Sequence, residues 1–78
     1  MQLRNRQSRS VQWVYAIGSA WIPFDSITQS HIEQLWKSNA SDWIPSANYN
    51  FYGPVYIDIP HLWLLHHGIA YTIARRTI

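Results

Sequence analysis

From Val11 to Ala16 the chain reads VQWVYA, with Val11, Trp13 and Tyr15 at alternate positions. Side chains alternate across a strand, so this spacing predicts a strand that carries these three residues on one face. Gly18-Ser19 has turn chemistry, and Trp21-Ile22-Pro23-Phe24 reads as a second short strand. Two strands this close predict a hairpin. Pro23 cannot donate to a ladder, so the second strand is expected at an edge or at a strand end.

The period then changes. Ile32, Leu35 and Trp36 fall at i, i+3 and i+4, which places them on one face of a helix. Ser26 and Gln29 have capping-box spacing, so Ser26 is the expected N-cap. Glu33 and Lys37 lie four apart in the favourable order for a helical ion pair. Ser38 to Asp42 is loop chemistry and is expected to end the helix. Trp43 falls in that loop, ahead of Pro45, and is the tryptophan most expected to be exposed.

Strand patterning returns after the loop. Ser46 to Phe51 is a candidate strand, and Tyr52-Gly53-Pro54 is a turn. Val55 to Ile59 alternates, with Val55, Ile57 and Ile59 on one face and Tyr56 and Asp58 on the other. Pro60 closes it. Leu62 to Leu65 is another apolar segment, His66-His67-Gly68 a turn, and Ile69 to Ala74 a last strand ending at Arg75 and Arg76. A hairpin, one helix and several further strands predict an α+β domain, with a curved, mostly antiparallel sheet wrapped on the helix.

Composition sharpens this picture. A chain of 78 residues makes one domain, and a domain of this size buries only about 60% of its unfolded surface. Five Trp, five Tyr and two Phe supply the dense core such a domain needs. Trp13, Trp21, Trp36 and Trp63 are the expected core pillars. There is no cysteine, so disulfides and thiolate metal sites are excluded.

Residues 1–10 are polar and carry Arg4, Arg6 and Arg9, which predicts a disordered basic start ahead of a domain over residues 11–78. The formal net charge is only +2, and five of the six Lys and Arg sit at the two ends. Nucleic acid is therefore an unfavoured partner, because it usually requires a basic stripe. No apolar run approaches the roughly 18 residues of a spanning helix, and the compartment stays open. His61, His66 and His67 have no Cys or carboxylate pair beside them to complete a metal site. No nucleophile–base pairing is visible, so the expectation is a binding module, not an enzyme, with no cofactor.

Several short motifs then fall in a recognisable order. Trp13, Trp21 and Glu33 are followed by Tyr56-Ile57-Asp58-Ile59-x-x-Leu62 and by Ile73-Ala74-Arg75-Arg76. Trp21-Ile22-Pro23-Phe24 matches a W-x-P-[YF] element. This set resembles the WWE domain, over about Val11 to Arg76. The resemblance implies a half-barrel of about six strands packed on one helix, with Trp13, Trp21, Glu33 and Asp58 as its structural signature. It also implies company with ubiquitin-ligase or ADP-ribosyl-transferase domains. Several family members bind ADP-ribose or poly(ADP-ribose) in a cleft at one end of the half-barrel.

By that resemblance Tyr15, Tyr56 and Tyr71 would be ring contacts, the second position falling at Val55 or Tyr56 by a one-residue choice of register, and Arg75 the remaining cation for a pyrophosphate. The chain also departs from the ligand pattern. The family's glutamine position falls at Leu64, its phosphate-binding arginine at Tyr71, and Gly18 stands where another pocket arginine can occur. Two readings follow. One is an ADP-ribose recognition module. The other is a protein–protein interaction module that has lost ADP-ribose binding and uses an apolar cleft or the region of Trp43.

Overall fold

The computed structural model describes residues 10–46 and 50–78. The expected disordered start lies, except for Ser10, outside the described residues. The elements run β1 (Val11–Ile17), β2 (Ala20–Pro23), α1 (Ser26–Ser38), β3 (Ser41–Ile44), β4 (Val55–Asp58), β5 (Trp63–His66) and β6 (Ile69–Thr77). The strands form one six-stranded open sheet in the order β2-β1-β6-β5-β4-β3, antiparallel throughout. The fold is therefore α+β, with one helix among the described residues. That helix is not long and apolar enough to cross a membrane.

The β1–β2 hairpin turns at Gly18, whose φ of 59° lies in the left-handed region that glycine enters without steric cost. Past the strand end, the Phe24 N–H donates to the Trp13 carbonyl at 3.1 Å. One residue earlier, the nitrogen of Pro23 must point away from β1. It lies on the open edge, where a missing N–H costs no ladder bond and discourages further strand pairing.

Asp25, not Ser26, caps the helix. Its backbone is extended (φ −64°, ψ 162°), and its carboxylate accepts from the Thr28 N–H at 3.1 Å and the Thr28 hydroxyl at 2.6 Å. The Asp25 side chain therefore supplies the acceptor that the first turn needs. Gln29 does not close a capping box. Its Oε1 accepts from the Trp13 N–H at 2.6 Å and its Nε2 donates to the Phe24 carbonyl at 3.0 Å, which ties the helix to β1. The helix ends at Asn39, in the left-handed conformation, with the Asn39 and Ala40 N–H groups donating back to the Trp36 and Leu35 carbonyls.

This tight stop leads straight into β3. The segment around Trp43 is therefore an edge strand and not the expected loop, because pairing with β4 sets its conformation more than its own short sequence does. The expected Ser46–Phe51 strand falls only partly on described residues. Its middle lies outside the described residues, and Ser46, Asn50 and Phe51 are not in strand conformation. In β6 the ladder continues through Arg75 and Arg76 to Thr77.

Ile32 and Thr28 on the helix are buried against the inner side of the sheet, where Trp13, Tyr15, Ile44, Val55, Ile57, Leu64 and Ile73 lie. The helix meets both β1 and β3, although these stand far apart in the strand order.

A polar clasp fastens this arrangement. Trp13 and Arg75 face each other across β1 and β6. The Trp13 indole N–H donates to Glu33 Oε1 at 2.8 Å. Arg75 donates to both carboxylate oxygens, from Nε at 3.0 Å and from Nη2 at 2.8 Å. The guanidinium also lies 5.1 Å from the Trp36 ring centroid, and Trp36 meets Trp13 edge to face at 5.8 Å.

The Arg75 hydrogen bonds hold the Glu33 carboxyl below its ordinary pKa. Desolvation opposes this, while the Trp13 N–H and the charges of Arg75 and Lys37 assist it. A folded-state pKa below the unfolded one stabilises the fold fully above the unfolded value, about 4.3 for glutamate, and this stabilisation is lost as pH falls through the folded value. Glu33→Gln is expected to lower urea stability at neutral pH by about 1–3 kcal/mol. The gap from the parent should narrow steadily below about pH 4 as the parent's carboxylate protonates. A gap that stays constant down to acid pH would contradict the clasp.

Candidate functional site

The residues proposed to contact a ligand do not gather in one place. Tyr15 is fully buried, at 0% exposure. Its hydroxyl accepts from Asn50 Nδ2 at 2.7 Å, and its ring packs on Phe24 and Phe51 at centroid distances of 4.7 and 4.8 Å. Phe51 is buried too, and meets Tyr71 at 5.0 Å and His66 at 5.2 Å. The slot between Tyr15 and Tyr71 therefore holds the chain's own phenylalanine. Tyr56 is on the opposite side of the sheet, edge to face with Trp43 at 5.4 Å. Arg75 has both of its bonding nitrogens on Glu33.

Asp58 lies away from Arg75 and Arg76. It sits on β4, which β5 separates from β6, and Arg76 donates instead to Gln12 Oε1. Asp58 accepts from the Ser41 hydroxyl at 3.2 Å and from the His61 N–H at 3.2 Å, and lies 2.9 Å from His61 Nδ1. Desolvation raises its pKa, but the bonds from His61 and Ser41 outweigh that and leave it below the ordinary value. The His61 ring stacks on Trp63 at 5.0 Å. Among the described residues, no three His, Asp or Glu side chains gather as a metal-ligand set.

The tryptophans divide unexpectedly. Only Trp13 is buried, while Trp21, Trp36 and Trp63 are 47%, 41% and 38% exposed, so they are not core pillars. Strand alternation explains two of them. Trp21 pairs with Ala16, one residue from inward-facing Tyr15, and Trp63 precedes inward-facing Leu64, so both face outward. Trp36 lies over Arg75 at the margin of the helix face. Trp43 is 61% exposed and stands directly opposite Tyr56 on the outer face.

Two open clefts flank the sheet. One, of about 320 Å³, lies between β1 and α1 and is lined by Val11, Trp13, Gln29, Ser30 and Glu33. Its Gln29 and Glu33 side chains are the ones that bind Trp13. The other, of about 360 Å³, is on the outer face and is lined by Trp43, Tyr56, Leu65, His67 and Gly68. The β5–β6 turn shapes its rim: His67 and Gly68 both have positive φ, 51° and 79°, as a two-residue hairpin requires. The His67 ring stacks on His66 at 4.0 Å.

Phe51 is the residue that sequence reasoning missed. It reads as the end of a strand, and the only local sign of its role is its place just before the Gly53-Pro54 turn, where the chain folds back. Compared with family models, curated proteins and solved structures, the chain matches none.

Phe51→Ala is expected to cost about 3–5 kcal/mol in urea unfolding, as for other large buried aromatics. Loss of less than about 1 kcal/mol would contradict a filled slot, since exposed positions rarely cost more.

Proposed function

We propose that this chain is a non-catalytic recognition module of WWE-like architecture that binds another protein through the outer face of its sheet. The observation that carries this reading is the exposed aromatic face. Trp43 beside Tyr56, with Trp63 and Trp21 on the same side, puts large apolar rings into solvent. Such rings are the usual anchors of protein interfaces, because they bury much area at a small rotamer cost.

The ADP-ribose reading has less support. A nucleotide diphosphate needs an open aromatic slot and donors for its phosphates. Phe51 fills the slot beside Tyr15 and Tyr71. Arg75 is held by Glu33, and Leu64 is buried. The motif order shared with WWE domains and the strand-strand-helix-strands layout favour the architecture, and with it an attached ubiquitin-ligase or ADP-ribosyl-transferase domain as biological context.

Titration of the ¹⁵N-labelled protein with iso-ADP-ribose and with ADP-ribose separates the two readings. Neither ligand is expected to move any resonance at millimolar concentration. Saturable shifts at Tyr15, Asn50 and Tyr71 would overturn the outer-face reading in favour of nucleotide recognition.

A further inference from the structure

Resting on that outer-face reading, we propose that the cleft beside Trp43 takes a neutral, proline-rich segment in the polyproline II conformation. The register places Trp43, Tyr56, Leu65 and Ala70 in one row across β3, β4, β5 and β6. Three strand spacings of about 4.8 Å make that row about 14 Å long. A polyproline II segment rises about 3.1 Å per residue, so four or five residues span it.

The relief of the cleft suits such a segment. Trp43 and Tyr56 meet at an interplanar angle of 65°, so their rings form a ridge and not a flat plate. Next to the ridge lie Leu65 and Gly68, and a Cβ added at Gly68 would meet no atom within 4 Å. A ridge beside an open position leaves room for one edge of a three-sided polyproline helix.

Charge narrows the class of ligand. The five lining residues include no Lys, Arg, Asp or Glu. Asp42, next to the cleft in sequence, turns its carboxylate onto the Trp43 backbone N–H at 2.7 Å. Asp58, in the neighbouring row, is occupied by His61 and Ser41. A charged peptide or an anionic nucleotide would lose hydration here and meet no Lys, Arg, Asp or Glu among the lining residues to offset it. A neutral segment loses less.

The Asp42 bond also argues against the alternative backbone mode. A ligand that added a strand to β3 would need its edge N–H groups, and the Trp43 N–H is already capped. A proline-rich segment asks for something else: its carbonyls seek donors. Among the described residues, neither the Trp43 indole N–H nor the Tyr56 hydroxyl donates to another group, and both residues line the cleft. The segment is also stiff before it binds, so little ordering cost opposes it.

The test uses two blocked peptides, one alternating proline and leucine, the other with glycine at each proline position, titrated into ¹⁵N-labelled protein. The proline peptide is expected to shift the Trp43 indole N–H saturably and to bind about tenfold or more tightly than the glycine peptide. Trp43→Ala should weaken it about tenfold or more, while Ile27→Ala, at an exposed position on the helix and away from the cleft, leaves it unchanged. Trp43→Phe, which keeps a ring and loses the donor, should fall between. Well-dispersed spectra of the variants check that they fold.

Equal binding of both peptides through Trp43 would overturn the polyproline proposal and leave the outer-face reading standing. A proline peptide that leaves Trp43 and Tyr56 unmoved would also overturn it. In that case, selection from a displayed random-peptide library decides the broader reading. Binders that need Trp43 uphold it; binders indifferent to Trp43, or none, overturn it as well.

Discussion

One carboxylate holds the helix to two strands. Glu33 receives the Trp13 indole N–H from β1 and the Arg75 guanidinium from β6, and those two residues are cross-strand partners. Its position therefore fixes the rotation of the helix about its own axis. With Glu33 at the sheet, Ile32 and Thr28 turn inward, and Trp36 comes to lie over Arg75. Gln29, one turn earlier, adds a second tie through the Trp13 backbone. Hydrogen bonds to charged groups are stronger than neutral ones, and here they also select one packing arrangement out of the several that an apolar helix face would allow.

Everything outward follows from that inward choice. Once Trp13 and Tyr15 face the helix, the period of two along β1 and its neighbours sends alternate residues to the other side. The inner side is finished by Phe51, which closes the space between Tyr15 and Tyr71. The outer side is left with Trp21, Trp43, Tyr56 and Trp63. Both sheet edges are blunted, by Pro23 on β2 and by the Asp42 carboxylate on β3, so recruitment of another strand is discouraged. What the surface offers is an aromatic face, not an edge.

Much of the architecture was legible in the sequence. The alternation of Val11, Trp13 and Tyr15, the helical spacing of Ile32 and Leu35, and the alternation of Val55, Ile57 and Ile59 are local patterns that tertiary packing kept. The failures have a common cause, which is that partners distant in sequence decide. Ser41–Ile44 is a strand because β4 pairs with it. Asp25 outcompetes Ser26 as cap while Gln29 is drawn to Trp13. Composition alone made Trp21 and Trp63 look like core, and only the register reveals that they face out. For the site, Trp43 was legible as an exposed ring, but the separation of Tyr56 from Tyr15 and Tyr71 depended on which face each strand buries, and Phe51 carried almost no local signal.

The helix-facing side of the sheet is closed, and the opposite side carries the accessible rings. Paramagnetic relaxation of the indole N–H resonances by a neutral gadolinium chelate in the solvent measures this directly. The Trp13 N–H, bonded to Glu33, should stay sharp while the Trp43 N–H broadens strongly. A Trp13 signal that relaxes as fast as that of Trp43, or a Trp43 signal as protected as that of Trp13, would contradict the account.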